Sequence, residues 1–242
     1  MALTPKQEEI FGFLESLPEK FQILEQGFDI ETQKEYLNYS HGFERGCLND
    51  NELEKMEILL FHPDLPMDGK KKALTILAHA GSIGAFKILA KYCENPAKEL
   101  KQWAGMALQE CRMFLESELT EEHLGFIMTG LGGSYDKLRT YLLVLPLEGK
   151  QFNKNQHKII ENELAHFGKK INCVIENFDF QEDYVGLTAL IPMDIAIATF
   201  IEGGIRSCNE FGSFVLEDYY AGNVNIPDRK EIEEIIKIIR NG

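Results

Sequence analysis

Long apolar runs are missing from this chain of 242 residues. None approaches the roughly 20 residues that a membrane-spanning helix requires. Basic residues are also scarce: 25 Lys+Arg stand against 39 Asp+Glu, a formal net charge of −14. That shortage argues against non-specific nucleic-acid binding, which depends on cations that displace counterions from phosphates. It argues equally against an anionic membrane surface, where polybasic segments are the usual device. The opening MALTPKQEEIFGF lacks the basic and apolar stretches of a secretory signal. The five cysteines, Cys47, Cys93, Cys111, Cys173 and Cys208, form no CxxC pair. Odd in number and widely spaced, they suit a reducing compartment better than a disulfide scaffold. The expectation is an acidic cytoplasmic protein with neither nucleic acid nor membrane among its partners.

Catalytic signatures are absent too. There is no GxSxG, no HExxH, no GxGxxG and no GxxxxGK, so no nucleophile elbow, zinc helix or phosphate cradle is expected. The six histidines, His41, His62, His79, His123, His157 and His166, show no paired metal-ligand spacing. His79 falls in the last turn of a predicted helix, where a cation suits the dipole. Cys208 reads as a packed core thiol, because nothing basic surrounds it to lower its pKa. Asp179, Glu182 and Asp183 read as a solvated turn without an EF-hand pattern. Glu217-Asp218-Tyr219-Tyr220 sets carboxylates beside phenols, as any exposed strand end can. Catalytic, cofactor-binding and metal residues are therefore assigned as none, and no cofactor is expected. The glycine-rich loop of note is Gly130, Gly132, Gly133 and Ser134. It reads either as a tight turn or as a ligand-contact loop.

What is present is enough apolar surface for a core, at 44% hydrophobic and 26% charged residues. Residues 1–122 hold 22 acids and 13 bases, whereas 123–242 hold 17 and 12, so neither half is basic. The pattern changes near the same point, from helical spacing to continuous and alternating β-rich runs. Two domains follow, 1–122 and 123–242. In the first, Thr4-Pro5-Lys6-Gln7 predicts a helix start. Further helices are predicted over 30–43, from Asn49 or Asp50 to the residue before His62, over Met67–Ala80, over Ser82–Cys93 and over Ala97–Glu118. Gly81 is placed to end the Met67 helix in a left-handed conformation.

A repeat runs through this half. Ala73, Ile76, Leu77 and Ala80 recur as Ala104, Ala107, Leu108 and Cys111, shifted by 31 residues. Periods of about 20–50 residues mark stacked-helix arrays. The segment KKALTILAHAGSIGAFKILAKYCENPAKELKQWAGMALQEC, Lys71 to Cys111, resembles a HEAT-type repeat, with an ordinary amphipathic bundle as the alternative. The resemblance spans about residues 67–117 and implies paired antiparallel helices that line a protein-binding surface. It carries over no catalytic residue.

The second half reads strand 141–145, helix 153–167 closed by Gly168, strand 171–176, a polar turn at 179–183, and strand 184–191. A helix then starts at Asp194, followed by strand 214–220 and a terminal helix with Ile232, Ile235, Ile236 and Ile239. The order βαββαβ resembles the ferredoxin-like arrangement, which implies that the first and third strands are central. An additional strand over 124–129 precedes them. The fold class expected is α+β: an N-terminal all-α HEAT-like domain and a C-terminal ferredoxin-like α/β sandwich with an antiparallel sheet. The helix around Phe200 is apolar off its main stripe as well, which predicts burial on most sides. Its Gly203-Gly204 pair predicts close approach by a neighbour.

Strand 141–145 is apolar at both parities, whereas helices 153–167 and 194–208 can cover only one face. Something must cover the other face: the helical domain, the terminal helix or a second copy. From this follows the expectation of a non-enzymatic interaction or assembly protein, with a protein partner or self-association as a homodimer. The alternative is a small-molecule-sensing regulator that binds an effector through the ferredoxin-like domain.

Overall fold

The computed structural model describes residues 20–120, 124–147 and 149–241. The expected helix start at Thr4 lies outside the described residues. The fold class is α+β, and the chain divides into two compact units. One comprises residues 1–22 and 29–127; the other takes Ile23–Phe28 together with Met128–Gly242. The sequence places all of 1–122 in the first domain, yet six residues of that half belong to the second unit.

The first unit holds five α-helices among its described residues. α1 (Ile30–Ser40) starts at Asp29, whose carboxylate accepts from the Thr32 amide. It ends short of Phe43, as two turn hydrogen bonds from Gly42 and Phe43 replace the helical ladder. α2 (Asp50–Phe61) opens on a capping box in which Asn49 and Glu52 exchange side-chain and backbone bonds, so that orphan amides at both positions are satisfied. α3 (Met67–Ala80) ends on Gly81 at φ 52°, the left-handed cap that its sequence predicts. α4 (Ile83–Glu94) takes Ser82 as its cap, and α5 (Lys101–Thr120) follows a short 3-10 turn, Lys98–Leu100. Leu74, Leu77, Leu89, Leu100, Trp103 and Met106 are fully buried among these helices. Of the repeat positions, Ala73 and Ala104 are buried alike, and so are Ala80 and Cys111. Strand β1 (Lys20–Ile23) pairs with β2 (Leu124–Ile127) as a sheet of two.

The second unit is an antiparallel sheet with helices on both faces. Its elements are β3 (Gly133–Ser134), β4 (Lys137–Pro146), α6 (Lys154–Lys170), β5 (Val174–Phe180), β6 (Val185–Pro192), α7 (Ile197–Asn209), β7 (Val215–Gly222) and α8 (Arg229–Asn241). From β4 onward the order is βαββαβ. β4 and β6 are central, β5 is one edge, and β7 and β3 share the outer side of β4. The first and third strands of the motif are thus the inner ones, as their apolar content predicts. Even-numbered Leu142 and Val144 pack with Ile160, Leu164, Phe200 and Ile201 of α6 and α7. Odd-numbered Tyr141, Leu143 and Leu145 pack with Ile232, Ile235, Ile236 and Ile239 of α8. Period-two alternation therefore reads correctly on a strand buried on both sides.

Several local expectations shift. α6 runs through Gly168 to Lys170, and the left-handed residue that follows is Asn172 at φ 61°. Gly168 lies against Phe200 and Cys173 instead of capping the helix. β5 begins at Val174, three residues later than predicted, so Asp179 belongs to the strand and not to the turn. α7 starts at Ile197, after a turn in which the Ile195 amide bonds to the Pro192 carbonyl. It is one-faced rather than buried on most sides: Phe200, Ile201, Gly204, Ile205 and Cys208 face inward, while Glu202 and Arg206 are exposed. Gly203 and Gly204 do meet close neighbours, the Phe167 ring and the Leu164 side chain.

Burial pushes the thiols of Cys111 and Cys208 up to about 11 and about 12. Burial, with Glu110 beside it, lifts the Tyr36 phenol well above its ordinary value. A raised folded-state pKa stabilises fully below the unfolded value, and the benefit is lost as pH climbs through the raised one. The unfolded values are 9.0 for the thiols and 10.0 for the phenol. The melting temperature is expected to hold between about pH 7 and 8.5 and to fall above about pH 9. Thermal melts across that range check it, and a flat profile to pH 11 would contradict it.

Candidate functional site

The glycine loop lies where three backbone segments cross in the second unit. The Leu131 amide bonds to the Asn223 carbonyl at 3.0 Å, and the Phe28 amide to the Thr129 carbonyl at 3.1 Å. The Gly132 amide donates to Thr129 Oγ1 at 2.8 Å. A Cβ at Gly130 would overlap the Val224 carbonyl oxygen, and one at Gly132 (φ 70°) would overlap the Glu25 carbonyl oxygen. Gly133 and Ser134 are the strand β3, paired with Leu138 and Lys137 across Tyr135-Asp136. Arg139 braces the crossing: its Nη1 donates to the carbonyls of Leu131 and Glu25, while Nε and Nη2 hold Glu176 at 2.6 and 2.9 Å. The amides of Leu131 and Gly132 thus already have protein acceptors.

The outer face of α6 has a different character. Asn153 and Gln156 close a capping box at its start. Ile160, Leu164 and Gly168 are buried, which turns Lys154, Lys158, Asn162, Ala165 and Lys169 outward. At 100° per residue the three lysines fall within about 60° of one another, along a stripe about 22 Å long. Lys170 adjoins it. None of these four ammonium groups has a carboxylate at ion-pair distance among the described residues, although Glu161 shares the exposed side. Where the stripe ends, Lys137 Nζ donates to Asn172 Oδ1 at 3.0 Å. A groove of about 320 Å³ opens there between Lys169, Asn172 and the start of edge strand β5. Charge summed over each half of the chain hides this face. The available signal was lysine at helical spacing opposite Ile160 and Leu164.

A second groove, about 510 Å³, runs along α7 and β7 and has the opposite sign. Glu202, Glu217 and Asp218 line it with Arg206, and Tyr219 Oη donates to Glu202 Oε1 at 3.2 Å. Burial and the Glu202 carboxylate both raise the Tyr219 pKa. The run Glu217-Asp218-Tyr219 therefore lines a cleft and is not a bare strand end. The Asp179 cluster separates: Asp179 accepts from Tyr184 Oη at 2.7 Å, whereas Asp183 pairs with Arg229 at 2.9 Å. Among the described residues no group of three or more His, Cys, Asp or Glu is placed to hold a metal ion.

In the helical unit, His79 is 8% exposed and joins a polar cluster that links three helices. Glu110 of α5 accepts from Tyr36 Oη at 2.6 Å and from Ser40 Oγ at 2.9 Å, both on α1. His79 Nε2 of α3 stands 2.8 Å from Ser40 Oγ. Because the Ser40 proton points to Glu110, Nε2 carries the donor hydrogen, and the buried Nδ1 has no hydrogen-bond partner among the described residues. One ring nitrogen serves both Ser40 and Glu110, and Ser40 is 2% exposed. The cluster ties α1, α3 and α5 together and is closed to a substrate. His79 does lie in the last turn of α3, as its sequence predicts, and it is buried there.

No helix among the described residues is long and apolar enough to cross a membrane. No family model matches the chain, and no curated protein matches it. Several solved structures are similar to part of it, among them two transposases. One is a REP-associated tyrosine transposase bound to a REP hairpin, at 8% identity and TM-score 0.32, covering 42% of this chain and 63% of that one. The other is a candidate transposase of Deinococcus radiodurans R1, at 13% identity and TM-score 0.35, covering 43% and 90%. The expectation of a non-enzymatic interaction or assembly protein, with a small-molecule sensor as its alternative, is corrected on this finding, and so is the exclusion of nucleic acid. The physical ground for self-association is removed as well, because α8 of the same chain covers the second sheet face.

Proposed function

We propose that this chain binds nucleic acid by its phosphate backbone, with the outer face of α6 as the contact surface. The observation that supports the reading is the run of unpaired lysines at 154, 158, 169 and 170 on one helix of a protein of net charge −14. Elsewhere several exposed cations already have partners, as Lys91 has Glu57 and Arg229 has Asp183. Lysine is a mobile point charge that meets phosphate oxygens without demanding one geometry. Side-chain contact with phosphates carries affinity but no sequence preference. The helical unit is read as HEAT-like and the second unit as ferredoxin-like, with the nucleic acid assigned to the latter.

Fluorescence anisotropy with labelled single-stranded and hairpin oligonucleotides tests the reading. With about three phosphate contacts, affinity is expected to fall by about 20–40-fold between 50 and 200 mM salt. The variant K154E/K158E/K169E is expected to abolish binding, whereas K230E/K237E on α8 leaves it unchanged. Absence of binding at 50 mM salt, or equal binding by the α6 variant, would sink the proposal.

A further inference from the structure

A small notch of about 80 Å³ lies on the other sheet face, beneath the chain that leads into α8. It exists because one side chain is missing. On this face β6 presents Tyr184, Gly186 and Thr188 in turn; Thr188 stands opposite both Tyr141 of β4 and Asn177 of β5. Gly186 leaves a gap in the row, and the Tyr141 hydroxyl leans over it: a Cβ at Gly186 would stand 2.5 Å from Tyr141 Oη. Tyr141 is 3% exposed and Thr188 7% exposed, and neither hydroxyl has a hydrogen-bond partner among the described residues. Both residues line the notch, and their hydroxyls are free to bond to what enters it.

Charge and shape restrict what that occupant is. Asp179 is the charged residue of the lining, and it opposes any anion. Its Oδ1 accepts from Gln181 Nε2 and its Oδ2 from Tyr184 Oη, both at 2.7 Å. Each oxygen keeps a lone pair free. Arg229 of α8 is paired with Asp183 and Glu233. Burial raises the Tyr141 pKa, so the phenol stays neutral and offers oxygen lone pairs. The roof is Ile226, Pro227 and Ile232, while Asn177 and Ile226 at the rim are exposed.

We infer that this notch binds a primary ammonium group on an alkyl stem, its three N–H donors directed at Asp179, Tyr141 and Thr188 and its carbons against Ile226 and Pro227. The group arrives either as a free alkylamine or as a lysine side chain. The site stands on the sheet face opposite α6, and it does not rest on the nucleic-acid reading.

Calorimetric titration with n-butylammonium, with n-butanol as the uncharged shape match, tests the assignment. Butylammonium is expected to bind at least about tenfold more tightly than butanol, since charge-assisted bonds are the stronger ones. Asp179→Asn and Gly186→Ala are each expected to cost about tenfold or more, the second by filling the notch. Thr188→Val keeps the shape and removes one acceptor, so it reports on the site even if the other variants fold poorly. N-acetyl-lysine amide separates the sources: binding as tight as butylammonium assigns a lysine side chain, and weaker binding assigns a free amine. Equal affinity for butanol and butylammonium, or undiminished binding by Thr188→Val and Asp179→Asn, would overturn the inference and leave a water-filled notch.

Discussion

Glu110→Ala is expected to destabilise the helical unit by about 3–5 kcal/mol, the range for removing one member of a buried charged network. The carboxylate accepts from Tyr36 Oη and Ser40 Oγ, and His79 Nε2 lies 3.5 Å from Oε2. Its removal leaves Tyr36 Oη and Ser40 Oγ without their acceptor, each worth about 1–3 kcal/mol of desolvation. Water cannot readily restore the bonds, since Tyr36 and Ser40 are each 2% exposed. His79 Nε2 would keep Ser40 Oγ as its one remaining partner, beside an Nδ1 that has none among the described residues. Glu110→Gln keeps one carbonyl acceptor and is expected to lose roughly half as much. Urea unfolding followed by Trp103 fluorescence measures both, because Tyr36 and Tyr39 pack edge-on against that indole. A loss below about 1 kcal/mol for the alanine variant would show that the cluster is not a structural tie.

Gly130→Ala is expected to cost the second unit about 3 kcal/mol, the upper part of the range for overpacking. The added methyl would meet a backbone carbonyl, that of Val224, and not the end of a flexible side chain. Gly27 presses on the Gly130 carbonyl from the other side, and both flanks are held by the Leu131–Asn223 and Phe28–Thr129 hydrogen bonds. Relief would require one of three segments to move and those bonds to break. Gly46→Ala is the control, with nothing within 4 Å of the new methyl; it is expected to stay within about 0.5 kcal/mol. Thermal and urea unfolding of both variants decide it. Equal stability would mean that the crossing yields easily.

Helix ends were legible wherever a local signal determined them. Asn49 with Glu52, Ser82 and Gly81 act within four residues of themselves: Gly81 caps the helix it was expected to end, and Asn49 and Ser82 stand where helices were expected to open. Gly168 and Asp194 failed for the complementary reason. A glycine in a helix is also what lets Phe200 approach α6, and that neighbour lies 32 residues away in sequence. Of the candidate residues, the glycine loop was visible as glycine, but its reason was not: Gly27, Gly130 and Val224 meet only after the chain has crossed itself.

The α+β class, the βαββαβ order and the two buried faces of β4 follow from local patterns, because helical and strand periods are written into consecutive residues. Helical spacing likewise places Lys154, Lys158 and Lys169 on one helix face, since 3.6 residues per turn is a local rule. That α8 covers the second face, that Ile23–Phe28 joins the second unit, and that Tyr36, Ser40, His79 and Glu110 converge became visible in the folded chain alone. So did the notch that Gly186 leaves beneath Tyr141. Each of these depends on which distant segments fill the same space, and no local period encodes that. Close packing selects among partners far apart in the chain by volume and by polar satisfaction together, after the elements have formed.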